Sequence, residues 1–202
     1  MSKKLTEAQI QAQASKLGIE AAALKAVIEV ECKGSGFNAD GTPVILFERH
    51  VFRHRLIANK RDLDLALAMR ERPDLCNKSA GGYGLYSAQH GRLNAAAQYH
   101  RDSALESASW GIGQVMGYHW KALGFASVVD FVMAMSESEA KQLEIFVKFI
   151  QANKTLLNAI RAKDFDLFAL TYNGTGYRKN NYHVKMARAN NKCAYMNKVR
   201  NA

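Results

Sequence analysis

The chain has 202 residues, 48% of them hydrophobic and only two of them prolines, which suits one compact globular domain over residues 1–202. Its formal net charge of +10 favours anionic partners. The isolated Cys32, Cys76 and Cys193 argue against a zinc site and a disulfide scaffold, and no apolar window is long enough for a transmembrane helix.

The N-terminal segment predicts a short capped helix rather than a targeting signal. Its first residues are basic but are followed by no apolar stretch, so we expect no signal peptide. Thr6 followed by Gln9 predicts a capping box for a helix that runs to about Lys16 and is ended by Gly18. If the target lies outside the cytoplasm, another component must release the protein.

The second predicted helix ends its apolar stripe in a carboxylate. Leu24, Val27 and Ile28 fall at i, i+3 and i+4, and Glu31 falls at i+7. A half-buried carboxyl loses hydration, so its pKa rises, and an acid that is protonated near neutral pH suits general-acid catalysis. The alternative is a glutamate at a helix end that reaches water past Gly34.

The run Val44-Ile45-Leu46-Phe47 predicts a strand within a small β element near residues 42–52. Glu48 follows this run directly. Glycoside hydrolysis uses a carboxylic acid with a second carboxylate or a positioned water, so Glu48 is the candidate partner of Glu31. The alternative is an ion pair between Glu48 and a nearby arginine: Arg49, Arg53 or Arg55.

The rest of the chain is predicted to be mostly helical. Ser127 begins one helix, Ser136 with Glu139 predicts a capping box for the next, and Asp164 caps a helix that ends at Asn173-Gly174. Further helices are expected near residues 63–70, 89–99, 102–107 and from about 181 onwards. The last helix has a stripe predicted to be core: Tyr182, Met186, Ala189, Cys193 and Met196.

Two glycine-containing motifs supply candidate binding residues. In Ser109-x-Gly111-x-Gly113-Gln114, the Gln114 amide could bind an acetamido group or satisfy a backbone carbonyl. In Tyr172-Asn173-Gly174-x-Gly176-Tyr177, the polar side chains suit recognition at a helix end, or Gly174 is simply a C-cap. The histidines lack metal-binding spacing, so we expect no metal and no cofactor.

Four blocks in this order resemble the N-acetylmuramidase domain of bacteriophage endolysins, and the likeness runs from about residue 20 to the C-terminus. More distantly, they are similar to blocks of goose-type lysozymes and soluble lytic transglycosylases. The blocks are Ala26-Val27-Ile28-Glu29-Val30-Glu31-Cys32-Lys33-Gly34-Ser35-Gly36-Phe37, Ile45-Leu46-Phe47-Glu48-Arg49-His50-Val51-Phe52, Ala108-Ser109-Trp110-Gly111-Ile112-Gly113-Gln114-Val115-Met116-Gly117 and Tyr172-Asn173-Gly174-x-Gly176-Tyr177.

The resemblance implies a mainly α, lysozyme-like α+β fold with the small β element beside the catalytic helix. Glu31 matches the catalytic acid, Gln114 the glutamine that lines the cleft, and Tyr172 with Asn173 the tyrosine block. Ser109 and Tyr177 are expected to bind substrate with them. Cys32 departs from the family pattern, because serine is usual after the acid.

The activity so implied is that of an endolysin that hydrolyses the β-1,4 bond between N-acetylmuramic acid and N-acetylglucosamine in peptidoglycan and so lyses the bacterial cell wall. The rival keeps Glu31 but is a lytic transglycosylase, which forms 1,6-anhydromuramyl products. We expect a monomer without a separate wall-binding module, which is made in the host cytoplasm and acts on the wall from the periplasm after holin-dependent release.

Charge is concentrated at the C-terminus, where no acidic residue follows Asp166. We expect the basic final helix to attract anionic wall or outer-membrane surfaces, although a solvated helix face would show the same pattern. A nucleic-acid-binding protein would also explain the charge, but no helix-turn-helix or RNA-binding signature supports it. The basic residues after Asp166 are Arg178, Lys179, Lys185, Arg188, Lys192, Lys198 and Arg200.

Overall fold

The computed structural model of the protein describes residues 4–31 and 34–200. It is mainly α-helical with a small three-stranded sheet, as the sequence predicts. Contacts divide the chain into two compact units, one formed by Met1–Gly36 with Ser138–Ala202 and the other by Phe37–Glu137. The single domain expected over residues 1–202 stays a prediction.

The elements follow one another closely. In chain order the α-helices are α1 (Glu7–Leu17), α2 (Ala21–Glu31), α3 (Arg49–Ala58), α4 (Asp62–Glu71), α5 (Gln89–Ala97), α6 (Arg101–Glu106), α7 (Val128–Glu137), α8 (Glu139–Ala152), α9 (Lys154–Ala162), α10 (Phe165–Asn173) and α11 (Tyr182–Arg200). The strands are β1 (Ile45–Phe47), β2 (Ala108–Trp110) and β3 (Val115–Met116). Among the described residues, no helix is both long enough and apolar enough to cross a membrane.

Helix α1 confirms the predicted start and stop signals. The Thr6 hydroxyl accepts a hydrogen bond from the Gln9 backbone N–H at 3.3 Å, and the Gln9 side chain accepts one from the Thr6 N–H at 2.9 Å. Gly18 ends the helix with a φ of 69°, which glycine adopts without the steric cost that a Cβ brings. The capping residues of α10 are confirmed in the same way, since the Asp164 carboxylate accepts from the Leu167 N–H.

The core of the first unit is formed by buried apolar side chains of α2, α8, α10 and α11. Leu24 and Val27 of α2 are completely buried, so the predicted apolar stripe is real, while Ile28 is half-buried. On α11 the predicted core stripe holds only in part, because Met186 is completely buried but Met196 is 45% exposed.

Glu139 does not form the predicted capping box with Ser136. Helix α8 instead begins after Ser138, whose hydroxyl accepts from the Lys141 N–H at 3.2 Å. The Glu139 carboxylate accepts three hydrogen bonds: from the Leu5 N–H at 2.8 Å, the Ser35 hydroxyl at 2.9 Å and the Gly36 N–H at 2.9 Å. Glu139 therefore fixes the chain shortly after α2 instead of completing a helix cap.

The second unit contains the sheet, whose strands are antiparallel in the order β1-β2-β3. Ile45 pairs with Trp110 and Phe47 with Ala108, so β1 confirms the predicted strand. The prediction that the β element near residues 42–52 continues to residue 52 is wrong, because α3 begins at Arg49. The other two strands come from the glycine-containing segment, where Gly111 turns the chain with a φ of 67°.

Candidate active site

Glu31 is the last residue of α2, and its carboxylate is held by α10. The Asn173 side-chain amide donates a hydrogen bond to Glu31 Oε1 at 3.0 Å. Burial raises the pKa of Glu31, and the Asn173 hydrogen bond opposes part of that rise because it favours the ionised carboxylate. The negative end of the α2 dipole acts in the same direction as burial. Glu31 therefore has the elevated pKa that its place on the apolar stripe predicts.

An open cavity of about 600 Å³ lies beside Glu31 in the first unit. Two walls of opposite character form it, one from the end of α2 and the other from the beginning of α11. The α2 wall carries carboxylates and the α11 wall carries cations, so a ligand in this cavity would meet both signs of charge. The lining residues are Glu29, Val30, Glu31, Asn180, Tyr182, Lys185, Arg188, Ala189 and Lys192.

Glu48 belongs to the second unit, where it precedes α3 as the N-cap residue without using its side chain as a cap. Its side chain is 16% exposed, and Oε2 lies 3.3 Å from His50 Nδ1 without hydrogen-bond geometry. Burial raises the pKa of Glu48, while His50 and the Tyr83 hydroxyl lower it. Glu48 is thus a second carboxyl group whose protonated form is favoured by burial.

The alternative role of Glu48 as an arginine ion-pair residue is not realised in the described part of the chain. Arg49 donates instead to the carbonyl oxygens of Ser79 and Ala80, at 2.9 and 3.1 Å. Arg55 pairs with Glu106 at 2.8 Å. The ion-pair partner of Glu48 among the described residues is therefore a histidine.

Ser109 and Gln114 meet at the β2–β3 turn of the second unit. The Ser109 hydroxyl donates to Gln114 Oε1 at 2.8 Å, and Gln114 Nε2 donates to the Gly111 carbonyl at 2.8 Å. Gln114 also has a positive φ of 44°, which a non-glycine residue adopts at a steric cost. In this structure both polar ends of the Gln114 amide are occupied by the turn that carries it.

The two tyrosines of the last motif pack in different places of the first unit. Tyr172 stacks on Phe168 with ring centroids 5.8 Å apart and meets Phe146 edge-on at 5.7 Å. Tyr177 is only 3% exposed, and its hydroxyl donates to Asp166 at 2.9 Å. Asn173 of this motif contacts Glu31, and the side chain of Tyr177 is engaged with Asp166.

The sequence analysis missed two features of the candidate site. These are the cations that line the cavity and the contact between Tyr83 and Glu48. Lys185, Arg188 and Lys192 are predicted only as part of a basic tail, yet all three line the Glu31 cavity. Their spacing of three and four residues is a signal that they share one helix face. No sequence pattern links Tyr83 to Glu48, because the contact depends on the path of a loop.

Two further features bear on the chemistry available. Among residues 4–31 and 34–200, no group of three His, Cys, Asp or Glu side chains could hold a metal ion. Cys32, which stands where the resemblance implies serine, lies outside the described residues.

Comparison with known proteins identifies the family. The sequence model of the N-acetylmuramidase family matches residues 20–194. The chain belongs to the N-acetylmuramidase family. This match confirms the resemblance seen in the four sequence blocks, and it spans the second unit as well as most of the first.

A solved structure of a phage endolysin is similar to this chain over nearly its whole length. The chain is similar to the crystal structure of the Burkholderia AP3 phage endolysin, with 45% sequence identity and a TM-score of 0.88. The match covers 96% of this chain and 72% of the endolysin chain. A search of curated proteins finds no significant match.

Proposed function

We propose that this N-acetylmuramidase-family protein is a peptidoglycan-degrading endolysin that hydrolyses the β-1,4 bond between N-acetylmuramic acid and N-acetylglucosamine. The observation that carries the proposal is Glu31 itself: a carboxyl group with a raised pKa, hydrogen-bonded by Asn173, at the edge of an open cavity. Family membership and the likeness to a phage endolysin support the choice of substrate.

In the proposed reaction Glu31 is the general acid. Its proton passes to the glycosidic oxygen as the bond from that oxygen to the anomeric carbon breaks. The Asn173 amide holds the Glu31 carboxyl in one orientation. Glu31 therefore loses less side-chain entropy when it is positioned for the reaction. Burial keeps the proton on the carboxyl at a pH where an exposed glutamate would already be ionised.

Glu48 is the candidate for the second role. As a carboxylate it would accept a proton from the attacking water or stabilise the positive charge that develops on the sugar. The raised pKa of Glu48 limits this role at acidic pH, because the group must be ionised to act as a base. Hydrolysis by this scheme adds one water to the cleaved bond.

The remaining predicted residues are proposed either to hold the glycan strand or to position Glu31. Ser109, Gln114 and Tyr177 offer polar atoms, although each is hydrogen-bonded within the protein in this structure. For Tyr172 we propose that its ring sets the position of the neighbouring Asn173 through its packing on Phe168. Asn173 then acts mainly through Glu31.

The proposed place of action is the bacterial cell wall, which the protein would reach after release from the cytoplasm where it is made. The net charge of +10 supports attraction to anionic wall or outer-membrane surfaces. We propose that it acts there as a monomer and lyses the cell by cutting glycan strands.

The product decides between the proposed hydrolase and a lytic transglycosylase. Purified peptidoglycan is digested with the protein, and the released fragments are analysed by mass spectrometry. We expect muramic acid at reducing ends, with the mass of one added water. Fragments that end in 1,6-anhydromuramic acid would assign a transglycosylase, in which the 6-hydroxyl of the sugar replaces water, and the absence of soluble fragments would overturn the proposal.

A further inference from the structure

Three cations form one wall of the Glu31 cavity. Lys185, Arg188 and Lys192 lie at i, i+3 and i+7 of α11, so they share one face of the helix. All three are exposed, and all three line the cavity of about 600 Å³. A general attraction to an anionic surface does not require the cations to share one face of α11. Their shared position beside Glu31 therefore indicates a more specific role than that of a basic tail.

These cations have no acidic partner within the described residues. None of the ion pairs in that part of the chain includes Lys185, Arg188 or Lys192. Lys185 contacts an aromatic ring instead, with its ammonium group 5.9 Å from the centroid of Tyr182. Like charges spaced by one helical turn repel each other, so this wall is electrostatically prepared for an external anion.

The opposite wall limits what that anion can be. Glu29 and Glu31 both line the cavity, and an ionised Glu29 repels a polymer that carries a negative charge on every unit. A ligand with separate carboxylates and an amine would match the cations on α11 and Glu29 on α2 together. This charge pattern favours a short zwitterionic peptide over a phosphate polymer.

The length of the cationic wall fits a short peptide as well. Lys185 and Lys192 are seven residues apart, which corresponds to ~10 Å along a helix axis. An extended peptide covers that distance with about three residues. Among the cations, Arg188 can bind a carboxylate with two parallel hydrogen bonds, whereas the lysines act as point charges.

We propose that Lys185, Arg188 and Lys192 bind the free carboxylates of the peptide stems that branch from muramic acid, and that Glu29 faces an amine of the same stem. The inference rests on the proposed function, since it places the glycan so that Glu31 reaches the glycosidic bond next to a stem-bearing sugar. It makes the cavity a determinant of substrate choice: strands that carry stems are preferred to bare glycan.

The test compares two substrates and two variants at ~0.3 M salt, where long-range attraction is screened. The substrates are soluble glycan strands with intact stems and the same strands after an amidase has removed the stems. The cavity variant is Lys185→Gln/Arg188→Gln/Lys192→Gln. Its control is Lys16→Gln/Lys121→Gln/Lys154→Gln, which removes three exposed lysines that lie outside the cavity lining and so changes the net charge equally.

We expect the wild type to cleave stem-bearing strands with a kcat/KM about tenfold above that for bare strands, since charge-assisted hydrogen bonds contribute roughly this much. The cavity variant should lose that preference through a higher KM, and the control variant should keep it. A free stem tetrapeptide should inhibit the wild type at concentrations where its amidated form does not. Arg188→Lys, which keeps the charge, should retain most of the preference.

Several results would overturn the inference. They are equal cleavage of both substrates by the wild type, equal loss of preference in the two triple variants, and inhibition by polyphosphate but not by the stem tetrapeptide. None of these results would contradict the proposed function. That proposal fails separately, if the wild type releases no product from either substrate.

Discussion

At the scale of single residues, the proton on Glu31 is set by two opposing contacts. Burial raises its pKa, and the Asn173 amide lowers it by donating to the ionised form. A general acid is active while it is protonated, so kcat/KM should fall as pH rises through the raised pKa. Between the ordinary and the raised pKa the folded state holds more protons than the unfolded state, so Glu31 makes stability fall as pH rises in that window.

Replacing Asn173 by alanine should move the alkaline limb of the kcat/KM profile to higher pH. The substitution removes the hydrogen bond that favours ionised Glu31, so the carboxyl keeps its proton to a higher pH. Initial rates on soluble glycan strands across the pH range measure the shift. Asn158→Ala, at an exposed asparagine of α9, is the control and should leave the profile in place. If the alkaline limb of the Asn173→Ala profile does not move, Asn173 does not control the pKa of Glu31.

Glu48→Gln should lower kcat by about 100-fold or more if Glu48 acts as base or stabilises positive charge. The amide keeps the size of the side chain but cannot accept a proton from water. Because the glutamine fits the space of the largely buried Glu48 side chain, the variant should remain folded, and circular dichroism checks this. An unchanged kcat would reduce Glu48 to a structural residue and leave the second role to water or to the sugar hydroxyl.

At the scale of elements, strong local signals predict the structure well. The capping box at Thr6, the stop at Gly18 and the cap at Asp164 each depend on a few neighbouring residues, and the structure confirms all three. Helices α3 and α9 have no counterpart among the predicted elements. Helix α3 buries only Phe52 and Leu56, which is too few residues for a clear apolar period. Helix α9 buries Leu156, Ala159 and Ile160 at helical spacing, but it follows α8 after Asn153 alone, so the sequence shows no clear gap between the two helices.

The candidate site was predictable where the signal is local and not where it depends on tertiary contacts. The apolar stripe of α2 predicts the raised pKa of Glu31 directly from the sequence. The pairing of Glu31 with Asn173 joins residues 142 positions apart, and no spacing rule connects them. The same applies to strand β2, which is buried on both faces and therefore lacks the alternation that marks a half-exposed strand.

Glu139 is predicted to tie α8 to the segment that follows α2. Glu139→Ala removes the acceptor of three hydrogen bonds and leaves the buried Gly36 N–H without a partner. We expect a loss of at least ~2 kcal/mol in the free energy of unfolding, measured with a chemical denaturant. Glu137→Ala changes the charge equally at an exposed position and should cost far less. Equal effects in the two variants would contradict the role given to Glu139.

At the scale of the whole molecule, a net charge of +10 should speed encounter with anionic walls. Lysis of intact wall preparations should slow by about tenfold between ~0.02 M and ~0.3 M salt, because exposed charges are screened. The Lys16→Gln/Lys121→Gln/Lys154→Gln variant should show a weaker salt dependence and converge with the wild type at the higher salt concentration. A salt profile identical to that of the wild type would show that bulk charge does not guide the protein to the wall.

The proposed role of Glu31 as the proton donor is tested by the variant Glu31→Gln. The amide can still accept the Asn173 hydrogen bond but cannot donate a carboxyl proton, and it removes the cost of ionising a buried acid. We therefore predict a protein that is at least as stable as the wild type at neutral pH and releases glycan ends at least ~100-fold more slowly. A folded Glu31→Gln variant that cleaves peptidoglycan at a rate close to the wild type would contradict the account.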